Sequence, residues 1–483
     1  MQIFSWILLL IVLYIIVTSK TNKQRFVRVL IVNILLATHF ESGYFISVNG
    51  LELDYGQVAS LFTVVLGLVA NKYQLDKRLT KAGIGFCGAL LLGIVSLIVY
   101  PYEEKIVTGD ANNYDEVLAG TTEMQFAKPD MGTISGLIFF GIFTFIIICA
   151  YKCLTEEDVK SIVIKLSKYY KLVFLFGIIE ILFVYIIRSN IHRIIINAIM
   201  GRGMATFSEL INRGGGYMLQ GFTREASHYM SALFVSIIVI IVSSVITNKK
   251  AGMWVMIYCI ISTLSFSLSA VIYMIGVLCF YCLVILRKSP SGSRKTELKI
   301  FLLLTFSLII TVFCVFVVEM TGKSSNNYLT QRLYEAIESV SRIMNGGKID
   351  FANSSMIRLY SVFETFKLFL HRPIFGFGIG TLTCHGSTMM FLGDVGIAGL
   401  MLWYHFVTII KSIYRFDQKG RILFSCSIIL YFFINSLSSI YLVPYQSTYI
   451  LSYIFASYIV LSHDRNLIKE VKSLLNKKEI GNL

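Results

Sequence analysis

Three passages of this chain gather side chains that could do chemistry. The first, Gly221-Phe222-Thr223-Arg224-Glu225-Ala226-Ser227-His228, sets Glu225 three residues and Arg224 four residues before His228. On the first turn of a helix each pair would be neighbours, and the helix N-terminus would add free N–H groups for an anion. The passage reads as a carboxylate, an imidazole and a guanidinium at one site, or as an ordinary cap with a salt bridge. The second runs from Arg358 to Pro373-Ile374-Phe375-Gly376-Phe377-Gly378-Ile379-Gly380-Thr381. Its alternating Gly376, Gly378 and Gly380 would let backbone amides approach a phosphate, and equally would let the chain pack closely on a helix. The third opens at His385 and continues to Gly393-Asp394-Val395-Gly396. Histidine titrates near neutrality and suits a general base, although a loop histidine can also be merely solvated.

Further arginines flank these passages: Arg188, Arg193, Arg202 and Arg213 before the first, and Arg332, Arg342 and Arg372 around the second. A planar guanidinium forks onto phosphate oxygens, so the set points to an anionic ligand. Snorkelling or contact with anionic lipid headgroups is the alternative for any one of them. The two basic stretches hold no carboxylate cluster of the metal-binding kind, so neither a metal nor another cofactor is expected.

The surrounding chain is apolar. Of its 483 residues, 56% are hydrophobic and 15% charged, and the mean hydropathy is +0.72. Soluble domains carry about 25% charged residues. Long apolar runs therefore exclude a soluble enzyme, a disordered chain and a nucleic-acid-binding protein. The net charge of +15 fits lysine and arginine retained on the cytoplasmic side of a bilayer. The expected fold is an all-α polytopic membrane protein.

A spanning helix needs roughly 20 mostly apolar residues. On that measure, spans lie near 3–18, 26–40, 57–70, 82–100, 131–151, 169–187, 229–247, 253–265, 269–286, 300–318, 388–410, 422–438 and 448–462. The run from Met253 to Leu286 is too long for one crossing and splits at the serine-rich turn Ser265-Phe266-Ser267-Leu268-Ser269. The first span, apolar from Ile3 to Val17, lacks a small-residue cleavage site and reads as uncleaved. One alternating set of connections, together with the basic tail 463–483, holds 29 of the 43 lysines and arginines. The positive-inside rule makes that set cytoplasmic, with the N-terminus outside.

Three connections on the opposite side are long: the acidic 101–130, and the arginine-bearing 188–228 and 319–388. In 188–228, Ile191 to Asn197 fits a short interfacial helix with His192, Arg193 and Asn197 facing water. In 319–388, Tyr328 to Met344 reads as a lid helix on the membrane surface. Ser354 to Leu370 reads as a second helix, ended by Pro373. Glu180 and Asp394 fall at membrane depth, where burial is costly and a carboxylate is a functional candidate by default. Most of the nine cysteines sit inside apolar segments as small hydrophobes. Cys279 and Cys282 form a CxxC within a helix, and Cys384 alone is external, so no external disulfide pair is available.

With these passages in place, the chain resembles the bacterial O-antigen and capsular polysaccharide repeat-unit polymerases, a superfamily that includes the O-antigen ligases. Gly221 to His228 is similar to that family's entry to a span, with Ala226 where proline is usual. Ser265 to Ala270 resembles its serine-rich turn, with Leu268 where arginine is often found. Arg358 through Gly380 resembles its arginine-then-glycine passage. His385 through Gly399 resembles the histidine that precedes a late span, with Asp394 where glutamate is usual.

The resemblance implies an inverting glycosyltransferase at the outer face of the bacterial cytoplasmic membrane. It would join undecaprenyl-diphosphate-linked oligosaccharides, donor and acceptor both lipid-bound, and a chain-length regulator would be its partner. Arg213, Arg224 and Arg358, with Arg202 as a further candidate, would hold the diphosphate. His385 would be the leading base, with Glu225 and His228 orienting the acceptor or the arginines. Gly376, Gly378, Gly380 and Asp394 would support the site. A ligase moving finished polymer would use the same chemistry. A lipid-linked oligosaccharide flippase would instead concentrate charge along a midplane cavity.

Overall fold

A computed structural model of the chain describes residues 3–39, 44–48, 51–107, 123–129, 131–200, 212–213, 216–217, 219–223, 226–247, 249–265, 268–288, 338, 354–382, 384 and 386–413. These residues are mostly helical. The expected spans at 300–318, 422–438 and 448–462, the lid helix at 328–344 apart from position 338, and the tail 463–483 lie outside them.

Helix α1 (Ile3–Thr18) is followed by α2 (Asn22–His39), a short hairpin of β1 (Tyr44–Val48) and β2 (Leu51–Asp54), and α3 (Tyr55–Ala70). Asp54 and Gln57 form a reciprocal capping box at the start of α3, which satisfies two of the N–H groups a helix leaves open. Then come α4 (Lys77–Val99), a small hairpin of β3 (Lys105–Ile106) and β4 (Gln125–Phe126), and α5 (Met131–Cys153). Helix α6 (Glu156–Ile181) continues as a π-helical turn, Leu182–Ile187, and α7 (Ile191–Met200) follows. Next are β5 (Asn212–Arg213) paired with β6 (Gly216–Tyr217), then α8 (Ala226–Ile246), α9 (Gly252–Leu264), α10 (Leu268–Lys288), α11 (Ser354–His371) and α12 (Ser387–Ile413).

The expected split between α9 and α10 falls at the serine-rich turn, where Ser265 Oγ donates to the Ser262 carbonyl and closes the helix end. Helix α6, by contrast, begins well before the expected span. The lysine-rich stretch read as a cytoplasmic connection is helical from Glu156, because Thr155 and Asp158 cap it reciprocally. Asp158 also pairs with Lys23, next to the start of α2. The three hairpins have strands too short to show a period in the sequence.

Packing runs α2 on α3, α3 and α4 on α5, α4 on α12, α6 on α2, α8 and α9, and α8 on α10. Phe26, Phe86, Phe143, Tyr170, Phe174, Tyr258, Trp403 and Phe406 fill one continuous core. A smaller cluster at one end joins Leu97, Ile106, Ala127, Leu368, Phe377 and Leu382. Glycines let α5 approach its neighbours closely. A Cβ on Gly67 would lie 2.8 Å from Cys149 Cβ, and one on Gly83 would lie 2.8 Å from Thr144 Cγ2. This is the small-residue contact typical of helices in lipid.

The helices Lys77–Val99, Thr133–Cys153, Glu157–Ile187 and Met389–Phe406 are long and apolar enough to cross a membrane, and further apolar helical stretches are shorter. Their outer faces are apolar as well: Trp6, Leu10 and Tyr14 on α1, Leu91 and Ile98 on α4, Leu172 and Leu175 on α6, and Met401 on α12 are exposed. A surface of that kind would be an aggregation liability in water and is what acyl chains cover.

Replacing Gly83 by leucine should lower the free energy of unfolding in detergent by about 1–3 kcal/mol through overpacking. Gly85→Leu, at a position with open space around it, should leave the melting temperature within error of the parent.

Candidate functional site

The second and third passages come together on a broken helix. Inside α12, Gly396 adopts φ 65° and ψ −172°, so the helical hydrogen-bond ladder is interrupted there. The chain leaving α11 fills the gap. Ile397 N–H donates to the Pro373 carbonyl at 2.8 Å and Ala398 N–H to that of Ile374 at 2.9 Å, while Phe377 and Gly378 N–H donate to the carbonyls of Gly393 and Asp394. Gly376 and Gly378 take left-handed φ values of 67° and 89°. A Cβ on Gly376 would sit 2.4 Å from the Asp394 carbonyl oxygen, so only glycine fits.

The Asp394 carboxylate completes this arrangement. It is fully buried; Oδ2 accepts from Gly380 N–H at 2.9 Å and Oδ1 from Leu382 N–H at 3.1 Å. Two backbone amides thus offset part of the cost of burying this group. The amides of residues 376, 377, 378, 380, 381 and 382 thus have acceptors within the protein. Of the two readings of the glycine run, close packing against α12 is the one these contacts show for Gly376, Gly378 and Gly380. The break at Gly396 leaves backbone groups that only this loop can pair.

The same loop is tied to α11. Cys384 Sγ donates to the Ser361 carbonyl at 3.6 Å and accepts from Gly386 N–H at 3.2 Å. Burial pushes the Cys384 thiol up from its ordinary value. In sequence Cys384 immediately precedes His385, and Ser361 lies one helical turn after Arg358. His385 itself lies outside the described residues. Arg372 serves the packing: its guanidinium lies over the Phe377 ring, 5.3 Å from the centroid, and donates to the Ser96 carbonyl.

Glu180 holds the first passage in the same way. It is fully buried and accepts from Gln220 N–H at 3.0 Å and Gly221 N–H at 2.9 Å. Gly221 has φ 54°, and a Cβ there would lie 2.3 Å from the Tyr229 ring. Thr223 closes the loop by donating twice, from N–H and Oγ1, to the Gln220 carbonyl. The loop delivers the chain to Arg224 and Glu225, which lie outside the described residues with Arg202. His228 stands in the first turn of α8, and Arg213 sits in β5 opposite Gly216. Glu180 thus holds the loop that leads into the first passage.

Helix α7 is inverted relative to expectation. His192, Arg193 and Asn197, expected to face water, are 6%, 3% and 3% exposed, whereas Ile191 and Ile195 are each 54% exposed. The expectation assumed solvent outside and apolar protein inside. Here Glu180 supplies a polar interior: His192 Nε2 and Arg193 Nη2 each lie 3.8 Å from its Oε1. Burial lowers the Arg193 pKa, and the adjacent Glu180 charge offsets only part of that shift. The helix is reached through the π turn and Arg188, in the left-handed conformation at φ 55°.

Among the described residues no group of three or more His, Cys, Asp or Glu side chains is placed to hold a metal ion. The sequence marked Glu180 and Asp394 as costly acids but missed their common use, because backbone amides carry no residue signature. Comparisons with known proteins return nothing: no family model, curated protein or solved structure matches the chain.

Glu180→Ala should orphan two buried amides at about 1–3 kcal/mol each. Hydrogen exchange should then accelerate at Gln220 and Gly221 while Gly380 and Leu382 stay protected. Asp394→Ala should give the reverse pattern.

Proposed function

We propose that this chain is a polytopic glycosyltransferase of the bacterial cytoplasmic membrane. It joins undecaprenyl-diphosphate-linked oligosaccharide repeat units into surface polysaccharide on the outer face, with inversion at the anomeric carbon. The observation that carries the reading is the paired use of Glu180 and Asp394. Each buried acid grips the backbone of a loop leading directly to the residues the reaction needs, Arg224 and Glu225 in one case and His385 in the other.

In this reading the acceptor hydroxyl, on a second lipid-linked repeat unit, attacks the donor's anomeric carbon. Its proton passes to His385, and the bond to undecaprenyl diphosphate breaks. A diphosphate leaving group needs its charge stabilised rather than a proton donated, and Arg213, Arg224 and Arg358 supply that without a cofactor, with Arg202 nearby in sequence. Glu225 and His228 orient the acceptor or the arginines. The exposed apolar faces of the helices suit lateral entry of the polyprenyl tails, and a chain-length regulator would bind from the same side. A flippase would need its charges along a central cavity, whereas the arginines here fall in the sequence stretches 188–228 and 319–388, outside the expected spans.

Purified protein given a synthetic lipid-diphosphate repeat unit should produce a ladder of glycan lengths without nucleotide. Arg358→Ala and His385→Ala should fold and insert normally yet cut the rate by at least about 100-fold, the scale of losing a charge-stabilising group or base. Parental chain lengths from both variants would remove these residues from the mechanism.

A further inference from the structure

The geometry points to a second site, beneath the 219–223 loop, that binds the hydroxyl groups of a neutral, carbohydrate-like ligand. Glu180, His192, Arg193, Asn197 and Tyr229 form it. Tyr229 is fully buried and is accommodated by two glycines: its ring underlies Gly221, and its hydroxyl lies 2.5 Å from where a Cβ of Gly177 would stand. Gly177 precedes Glu180 by one helical turn, so the phenol is aimed at the same face of α6. His192, Arg193 and Asn197 approach from α7.

Several of these groups are unspent. Both ring nitrogens of His192, Nδ2 of Asn197 and the hydroxyl of Tyr229 have no hydrogen-bond partner among the described residues. Each such buried group costs about 1–3 kcal/mol, and natural folds seldom leave several together without a ligand or water to use them.

Their chemistry selects the ligand. An imidazole always offers at least one N–H donor, a carboxamide nitrogen donates, and a phenol both donates and accepts. A hydroxyl group, which also donates and accepts, can serve all of them. A fully ionised phosphate only accepts, and so cannot donate to the Tyr229 oxygen. It would also stand beside Glu180, whose charge already offsets that of Arg193 at 3.8 Å. The π turn that precedes α7 fits this assignment, since such turns recur at functional sites. That the hydroxyls belong to a lipid-linked sugar rests on the proposed function; the hydroxyl chemistry does not.

The test uses the full chain in lipid nanodiscs, titrated with free di- to tetrasaccharides of hexoses and N-acetylhexosamines and, separately, with undecaprenyl diphosphate carrying no sugar. Tyr229→Phe removes only the hydroxyl, and Asn197→Ala only the carboxamide group; thermal unfolding verifies that both fold. The parent should bind at least one free oligosaccharide. Each variant should weaken that binding about 5–10-fold, the equivalent of one hydrogen bond, with affinity for undecaprenyl diphosphate unchanged. Absence of binding to the parent, equal binding by the variants, or parallel loss of undecaprenyl diphosphate affinity would each overturn the site. Sugar binding that depends on Tyr229, in a protein that forms no glycan ladder, would keep the site and discard the polymerase reading.

Discussion

A carboxylate buried in an apolar helix bundle is tolerable only when its charge is taken up by donors, and two such groups organise this molecule. Glu180 and Asp394 are each fully buried and each bind two backbone amides from a loop outside their own helix. The charge of the acid is thereby converted into a fixed loop geometry. Because the partners are backbone groups, the clamp acts on the path of the chain and leaves the side chains beyond it free for other work. Desolvation raises the stakes of the arrangement, because a buried acid that lost its amides would carry the cost of their unmade hydrogen bonds.

Around each clamp the helices depart from regular geometry. At Asp394 the ladder of α12 is broken at Gly396 and repaired by the segment after α11. At Glu180 the helix runs into a π turn before reversing. The broken ladder frees backbone groups that the loop then pairs, so the irregularity and the clamp sustain one another. Glycines at 221, 376 and 396 make this possible, since each has a left-handed φ and a neighbour within van der Waals distance of the missing side chain.

The inversion of α7 follows from the same constraint. With Glu180 inside, the polar side of the helix gains by turning inward and its isoleucines are left outward, opposite to an interfacial helix on a water-exposed surface. Amphipathic periodicity defines two faces of a helix; it does not say which solvent lies on which side. Only the placement of a charge on another helix decides that.

Much of the helical plan was legible from hydropathy alone. Apolar runs at 3–18 and 131–151 are helices in place, and the serine-rich turn separates α9 from α10 as its polar backbone competition demands. Pro373 ends α11 because it cannot continue the ladder. Runs of apolar side chains report helices in a low-dielectric setting because the backbone has no other way to satisfy itself there. Contacts through backbone amides leave no such mark. That Glu180 meets Gly221 across 41 residues, that Cys384 bonds the Ser361 carbonyl of α11, and that the glycine run packs on α12 were decided by tertiary structure. They depend on which orphaned N–H and C=O groups lie opposite each other once the helices are packed, a matter of three-dimensional proximity that no residue type encodes.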